Sequence, residues 1–285
     1  MKKIIVDNTF FNVKDTLECG QIFRFKPHKE GFLVCSLDKC AYVYNTDKEA
    51  VIECLRQDEC YFYNYFDLDN DYDLIVQKAI DTKIPIVEKS ARIGKGIRIL
   101  KQDKIEMLFS FMISQNNNIP RIKTIINKLC KNLGERLTFL GEEYYSFPSV
   151  QKMAETPLEF YKEIGLGYRA EYVLELAKTL NNGYDFSSLT KLSTTSLKKE
   201  LIKIKGIGEK VANCVLLFGF NRTDSFPVDT WIEKVYRENF NGEERDINKI
   251  TKYFLNLFGD NSGYVQQYLF YYKRSIEKTE EHREK

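Results

Sequence analysis

Two hydrophobic periods divide the chain near residue 95. Before that point the short segments Gln21-Ile-Phe-Arg-Phe25, Gly31-Phe-Leu-Val-Cys35 and Ala41-Tyr-Val-Tyr44 alternate apolar with other residues and are separated by polar turns. A period of two places every second side chain on one face of an extended chain, so these segments predict an antiparallel sheet. A helix is expected over Lys48 to Arg56. From Ile105 onward the spacing becomes three and four: Met107, Leu108, Phe111, Met112; then Ile122, Ile125, Ile126, Leu129; then Tyr172, Leu174, Leu176, Leu180. Such spacing lines one face of an α-helix, and this half is expected to be nearly all helical. The fold class is therefore α+β, with a sheet domain at 1–95 and a helical region at 96–285. The charged stretch from Ile276 on is expected to fray.

One helical stretch is interrupted. Leu197, Leu201, Ile202 and Ile204 form an apolar face, Gly206-Ile-Gly208 breaks it, and Val211, Ala212, Val215 and Leu216 begin another. The pattern predicts a helix-hairpin-helix at 197–219. Gly206 and Gly208 let the turn expose backbone N–H groups at the start of the second helix, where the helix dipole also favours an anion such as a DNA phosphate.

Composition narrows the chemistry by exclusion. With 285 residues, 43% hydrophobic and 14% aromatic, the chain is too apolar for disorder. No apolar run reaches the roughly 18 residues of a membrane span, and the Met-Lys-Lys start is too short for a secretory segment. A soluble, cytoplasmic protein is expected, nucleoid-associated if the source is prokaryotic. The 7 cysteines include no C-x-x-C pair, so neither a disulfide framework nor a zinc site is indicated. Only His28 and His282 exist, one in a hairpin loop and one in the charged tail, which argues against histidine-based catalysis. Charge is uneven: residues 1–95 carry 14 Lys and Arg against 16 Asp and Glu, whereas 96–237 carry 21 against 16. A polyanion should therefore meet the middle of the chain.

Asp229 lies in Phe226-Pro-Val-Asp-Thr-Trp231, nineteen positions after Lys210. Alone, Asp229 would cap a helix starting at Thr230, a contribution of about 1 kcal/mol, and Lys210 would be one more solvated lysine. Together, a hairpin lysine and a downstream aspartate, they resemble the helix-hairpin-helix, Gly/Pro-Asp superfamily of DNA glycosylases, in which such a pair faces one base pocket. Five further blocks resemble the 8-oxoguanine DNA glycosylases: Glu18-Cys-Gly-Gln-Ile-Phe-Arg24, Gly96-Ile-Arg-Ile-Leu-Lys-Gln-Asp103, Leu108-Phe-Ser-Phe-Met-Ile-Ser-Gln-Asn-Asn-Asn-Ile-Pro-Arg121, Leu166-Gly-Tyr-Arg-Ala170 and Gly263-Tyr-Val-Gln-Gln-Tyr-Leu-Phe270.

The resemblance implies a TATA-binding-protein-like sheet domain packed on two helical lobes, and a damaged base flipped into the cleft between the lobes. It implies that Phe270 and Cys214 sandwich the base, that Gln266 binds its Watson–Crick edge, and that the Gly20 carbonyl accepts the N7–H peculiar to 8-oxoguanine. It further implies that Asn116 and Tyr168 fill the vacated helix, with Asn116, Arg121 and Arg169 contacting the estranged cytosine. The activity it implies is that of a bifunctional DNA glycosylase and AP lyase, acting as a monomer on duplex DNA through a lysine Schiff base. No metal or organic cofactor is required, although related hairpins hold a structural cation through main-chain carbonyls. Where animal and yeast members carry a histidine two residues after the aspartate, this chain has Trp231. The four-cysteine iron–sulfur loop of other superfamily members has no counterpart, because only Cys214 follows Cys130. Lysine itself poses a difficulty, since only about one amine in a thousand is neutral near pH 7.4 at the ordinary pKa of about 10.4. Burial would lower that pKa, while Asp229, phosphates or a Cys214 thiolate would raise it.

Overall fold

The computed structural model describes residues 1–186 and 188–283, with side chains through Ser275. Strands β1 (Lys2–Asp7), β2 (Phe25–His28), β3 (Gly31–Ser36), β4 (Lys39–Asn45) and β5 (Glu49–Cys54) form one antiparallel sheet, in the order β1-β5-β4-β3-β2. The segment expected to be helical from Lys48 to Arg56 is thus mostly strand. Ile52 lies opposite Ile4 on one side and Val43 on the other, and Ala50, Val51 and Ile52 are buried in succession. A central strand covered on both faces has no polar face to alternate, so its period is erased, and the β-branched pair Val51 and Ile52 favours the extended form. Of Gln21 to Phe25 only Phe25 enters a strand; the residues before it form a loop.

Helices make up most of the remainder. The principal ones are Lys104–Ser114, Ile119–Leu133, Arg169–Asn181, Thr194–Lys203, Glu209–Phe218, Thr230–Asn239, Ile247–Phe258 and Ser262–Arg283. The fraying expected from Ile276 concerns side chains outside the described residues. Two expected stripes are out of phase. Ala170, Val173, Leu176 and Ala177 point inward on the helix Arg169–Asn181, whereas Tyr172, Leu174 and Leu180 are only partly buried. Ile202 is 37% exposed rather than part of the hairpin's apolar face. An unexpected two-stranded hairpin, β6 (Arg136–Phe139) and β7 (Glu142–Tyr145), interrupts the helices. Its two-residue turn, Leu140-Gly141, has φ of 51° and 79°, the doubly left-handed geometry that matches strand twist. Helices Tyr72–Ile80 and Pro85–Gly94 bury Val76, Ala79, Val87 and Ala91 in the same core as the C-terminal helices. Among the described residues no helix is long and apolar enough to cross a membrane.

The sheet and the helices are locked together beside the loop that carries Gly20. Arg24 and Glu106 form a buried ion pair at 3.0 Å, with side chains 5% and 4% exposed. Arg24 also donates to the Leu37 and Tyr145 carbonyls, and Glu106 accepts the Leu37 N–H at 2.8 Å. Gln21 is fully satisfied across the same junction, donating to the Arg98 carbonyl at 2.7 Å and accepting the Leu100 N–H at 2.9 Å. Removing one member of a buried ion pair strands the other charge in a medium of low dielectric. Arg24→Ala should therefore lower unfolding free energy by about 3–5 kcal/mol, read from urea denaturation at constant m-value.

Candidate active site

The hairpin forms where its glycines require it. Gly206 has φ +88°, and a Cβ there would lie 2.7 Å from Tyr172 Cγ, so only glycine fits. Gly208 is the N-cap of the helix Glu209–Phe218, and a Cβ there would meet nothing within 4 Å. The second helix buries Val211, Ala212, Cys214 and Val215, which turns Lys210 toward a cleft rather than the core. At the turn itself the Ile207 N–H occupies the Ile204 carbonyl at 3.0 Å, and Glu209 pairs with Lys198 at 2.6 Å.

Across the cleft, Asp229 caps the helix Thr230–Asn239, its Oδ1 accepting the Trp231 and Ile232 N–H groups at 3.1 and 3.0 Å. The capping role and the cleft-facing role coexist in one side chain, since the second oxygen remains for another partner. Burial raises the Asp229 pKa above the ordinary carboxylate value, while the Ile232 N–H and the Lys210 charge act in the opposite direction.

Lys210 and Asp229 line a common cavity of about 470 Å³ together with Gly20, Trp231 and Phe270. Behind it lies a slot of about 60 Å³ walled by Cys214, Gln266 and Phe270, again with Lys210, Asp229 and Gly20. All six residues expected in the base site thus meet at one place. Burial pushes the Cys214 thiol up to about 11, so it stays protonated near neutrality and adds no anion beside Lys210. Among the described residues the Gln266 Oε1 is buried without a hydrogen-bond partner, an acceptor that a ligand's N–H groups can satisfy. Gly20 has φ +93°, and a Cβ there would press on Phe270 Cε1 and Arg274 Nη1, each at 3.2 Å. Its loop is tied to the last helix from both preceding carbonyls: Gln267 donates to that of Cys19 at 2.9 Å and Arg274 to that of Glu18 at 3.0 Å.

Comparison with known proteins agrees with this geometry. Residues 3–108 match the 8-oxoguanine DNA glycosylase N-terminal domain, and residues 109–259 match the HhH-GPD superfamily of base excision DNA repair proteins. The chain belongs to the 8-oxoguanine DNA glycosylase family. It is 33% identical to a Saccharomyces cerevisiae N-glycosylase/DNA lyase over 67% of this chain, spanning 54% of that protein's length. A probable N-glycosylase/DNA lyase of Methanothermobacter thermautotrophicus is 27% identical over 73% of this chain and 71% of its own. The Clostridium acetobutylicum 8-oxoguanine glycosylase/lyase, solved with duplex DNA containing cytosine opposite 8-oxoguanine, superposes with a TM-score of 0.90 at 33% identity, covering 96% of this chain and 98% of that one.

In this member of the 8-oxoguanine DNA glycosylase family, the residues expected against the opposite strand also cluster. Asn116 adopts φ +44° and donates from Nδ2 to the Tyr168 hydroxyl at 3.2 Å, while Tyr168 is 52% exposed. Arg121 reaches the Gly165 carbonyl at 3.2 Å. Arg169, the third residue expected at the cytosine, is engaged within the protein. It is 6% exposed, and its guanidinium donates to the carbonyls of Gln115, Leu166 and Asn116 at 2.6, 3.2 and 2.8 Å. Two of these bonds, to Gln115 and Asn116, hold the Asn116 loop in its left-handed shape, and the third ties the guanidinium to Leu166. Phe111, Lys123, Gln267 and Arg274 escaped the sequence reading. For Arg274 a signal existed, because it follows Phe270 by one helical turn.

Proposed function

We propose that this protein is a DNA N-glycosylase with associated AP lyase activity, which excises 8-oxoguanine from duplex DNA and prefers cytosine opposite the lesion. The observation that carries the proposal is the convergence of Lys210 and Asp229 on the cavity that Gly20, Cys214, Gln266 and Phe270 also line. A base must leave the stack before its glycosidic bond can be reached, and the slot between Cys214 and Phe270 provides two faces to receive it. The neutral Lys210 amine attacks C1′ as the C1′–N9 bond breaks, and the amine's proton passes to the departing base. Ring opening gives a Schiff base, loss of a C2′ proton expels the 3′ phosphate, and hydrolysis frees the lysine. Asp229 remains an anion and stabilises the positive charge developing on the sugar. Cys214, held protonated by burial, adds no second anion to the site. Single-turnover excision from duplexes carrying 8-oxoguanine or guanine tests the proposal: release of 8-oxoguanine alone supports it, and inactivity on both contradicts it.

The raised pKa of Asp229 sets the pH dependence. Only the carboxylate stabilises the sugar cation, so activity falls as pH drops through the Asp229 pKa. Because burial moves that pKa upward, the acid limb of the single-turnover rate should lie above the roughly 3.9 of an ordinary aspartate. A limb at or below that value would contradict the assignment of Asp229.

Opposite-base preference rests on Asn116, Arg121 and Arg169, of which Arg121 is exposed and, among the described residues, holds one carbonyl with its guanidinium. Arginine donors match the O2 and N3 acceptors of cytosine, whereas adenine presents an amino donor. Arg121→Ala should equalise the rates opposite cytosine and adenine, with excision retained. An unchanged ratio in that variant would assign the preference elsewhere.

A further inference from the structure

Beside the cavity stand two cations, Lys123 and Arg274, of which Arg274 also ties the Gly20 loop through the Glu18 carbonyl. Lys123, on the helix Ile119–Leu133, is half-buried, and its Nζ stands 3.3 Å from the centre of the Phe25 ring. Among the described residues no carboxylate forms an ion pair with it. Burial lowers its pKa to about 8; Glu18 opposes that shift and the charge of Arg274 adds to it. Arg274 places its guanidinium 5.7 Å from the centre of the Phe270 ring and spends Nη2 on the Glu18 carbonyl. Its Nη1 is buried with no hydrogen-bond partner among the described residues.

Lys123 and Arg274 line one cavity of about 220 Å³. Gly20, Ile119 and Arg274 border both this cavity and the larger one that holds Lys210 and Asp229, so the two are neighbours. Glu18 also lines this cavity but forms no ion pair with Lys123; an ammonium so placed and a buried N–H with no acceptor among the described residues are each unfavourable in a partly desolvated site. A single anion with two acceptor oxygens would satisfy both. The base is a poor candidate, being neutral, and the slot between Cys214 and Phe270 includes neither Lys123 nor Arg274 in its walls. The polyanion that must pass this mouth while its base enters the slot carries one negative phosphodiester per nucleotide.

We propose that Lys123 and Arg274 form a subsite for one backbone phosphodiester of the lesion strand, beside the flipped nucleotide. The proposal rests on the assignment of the Lys210 cavity as the base-excision site. Bound there, the phosphate draws the strand against the Gly20 loop and neutralises the cation behind Phe270.

The test replaces each phosphate flanking the lesion, one at a time, by a neutral methylphosphonate. Affinity is measured for a duplex whose 8-oxoguanine nucleotide is 2′-fluorinated to resist cleavage. One position should weaken binding to the wild type and have no effect in Lys123→Gln/Arg274→Gln. The double variant should reduce the slope of log affinity against log salt by about 1, the loss of one phosphate contact; each single variant should reduce it by a smaller amount, and Lys123→Arg should restore the wild-type slope. Wild-type slopes in both single variants, or no methylphosphonate position that couples to them, would overturn the subsite. Excision of unmodified 8-oxoguanine duplex by the wild type is followed in parallel. Excision without coupling overturns the subsite alone, whereas absence of excision overturns the assignment of the cavity. The scan on the wild type needs no variant to fold, and a position-independent response there also overturns the subsite.

Discussion

Lys210→Gln is expected to abolish 8-oxoguanine excision and strand cleavage while leaving lesion-duplex affinity nearly intact. The amide cannot attack C1′ or form a Schiff base, so both chemical steps fail together. Binding draws on a charge surface spread over residues 96–237, where Lys and Arg outnumber Asp and Glu by 21 to 16, and the loss of one lysine removes a small part of it. Glutamine keeps most of the side chain's length, and Lys210 is only half-buried, so thermal stability should change little. Single-turnover product release and equilibrium binding on the same preparation separate the outcomes. Full excision by this variant would remove the amine from the mechanism, and loss of both binding and excision would make Lys210 a DNA contact first.

Gly20→Ala should reduce excision by roughly 5- to 150-fold, the range set by one buried hydrogen bond of about 1–3 kcal/mol. Two effects in the structure act in the same direction. At φ +93° an L side chain is strained, and the added Cβ would meet Phe270 Cε1 and Arg274 Nη1 at 3.2 Å each. The Phe270 ring is the face on which the base would rest, so the substitution disturbs the stacking surface as well as the carbonyl beside it. Guanine presents an N7 lone pair where 8-oxoguanine presents N7–H; a fixed carbonyl therefore repels the first and binds the second. Nonspecific duplex affinity should stay nearly unchanged. Wild-type single-turnover rates in a folded Gly20→Ala protein would show that the discriminating acceptor lies elsewhere.

The catalytic hairpin was legible because its features are local. Two glycines between apolar helical faces, a lysine in the following turn and a Pro-Val-Asp segment each report backbone geometry directly. The buried Arg24–Glu106 pair and the loop ties from Gln267 and Arg274 join residues far apart in sequence, so no period or spacing announces them. β5 was misread because burial on both faces removes alternation. The β6–β7 hairpin was missed because its four-residue strands are too short to show a period. Arg169 illustrates a subtler gap: its place beside Asn116 was expected, but its guanidinium holds three carbonyls of that loop and its neighbours. Residue type indicates a donor; only the fold shows how many of its N–H groups remain free.

The most direct measurement of the central claim is borohydride trapping of wild-type protein on a duplex with a single 8-oxoguanine, followed by peptide mapping of the adduct. Reduction converts a transient Schiff base into a stable amine and marks the nucleophile. The account predicts a covalent complex that forms on the lesion duplex and not on its guanine counterpart, with the sugar attached to the peptide containing Lys210. Tight binding without an adduct, or an adduct mapped to a different amine, would contradict it.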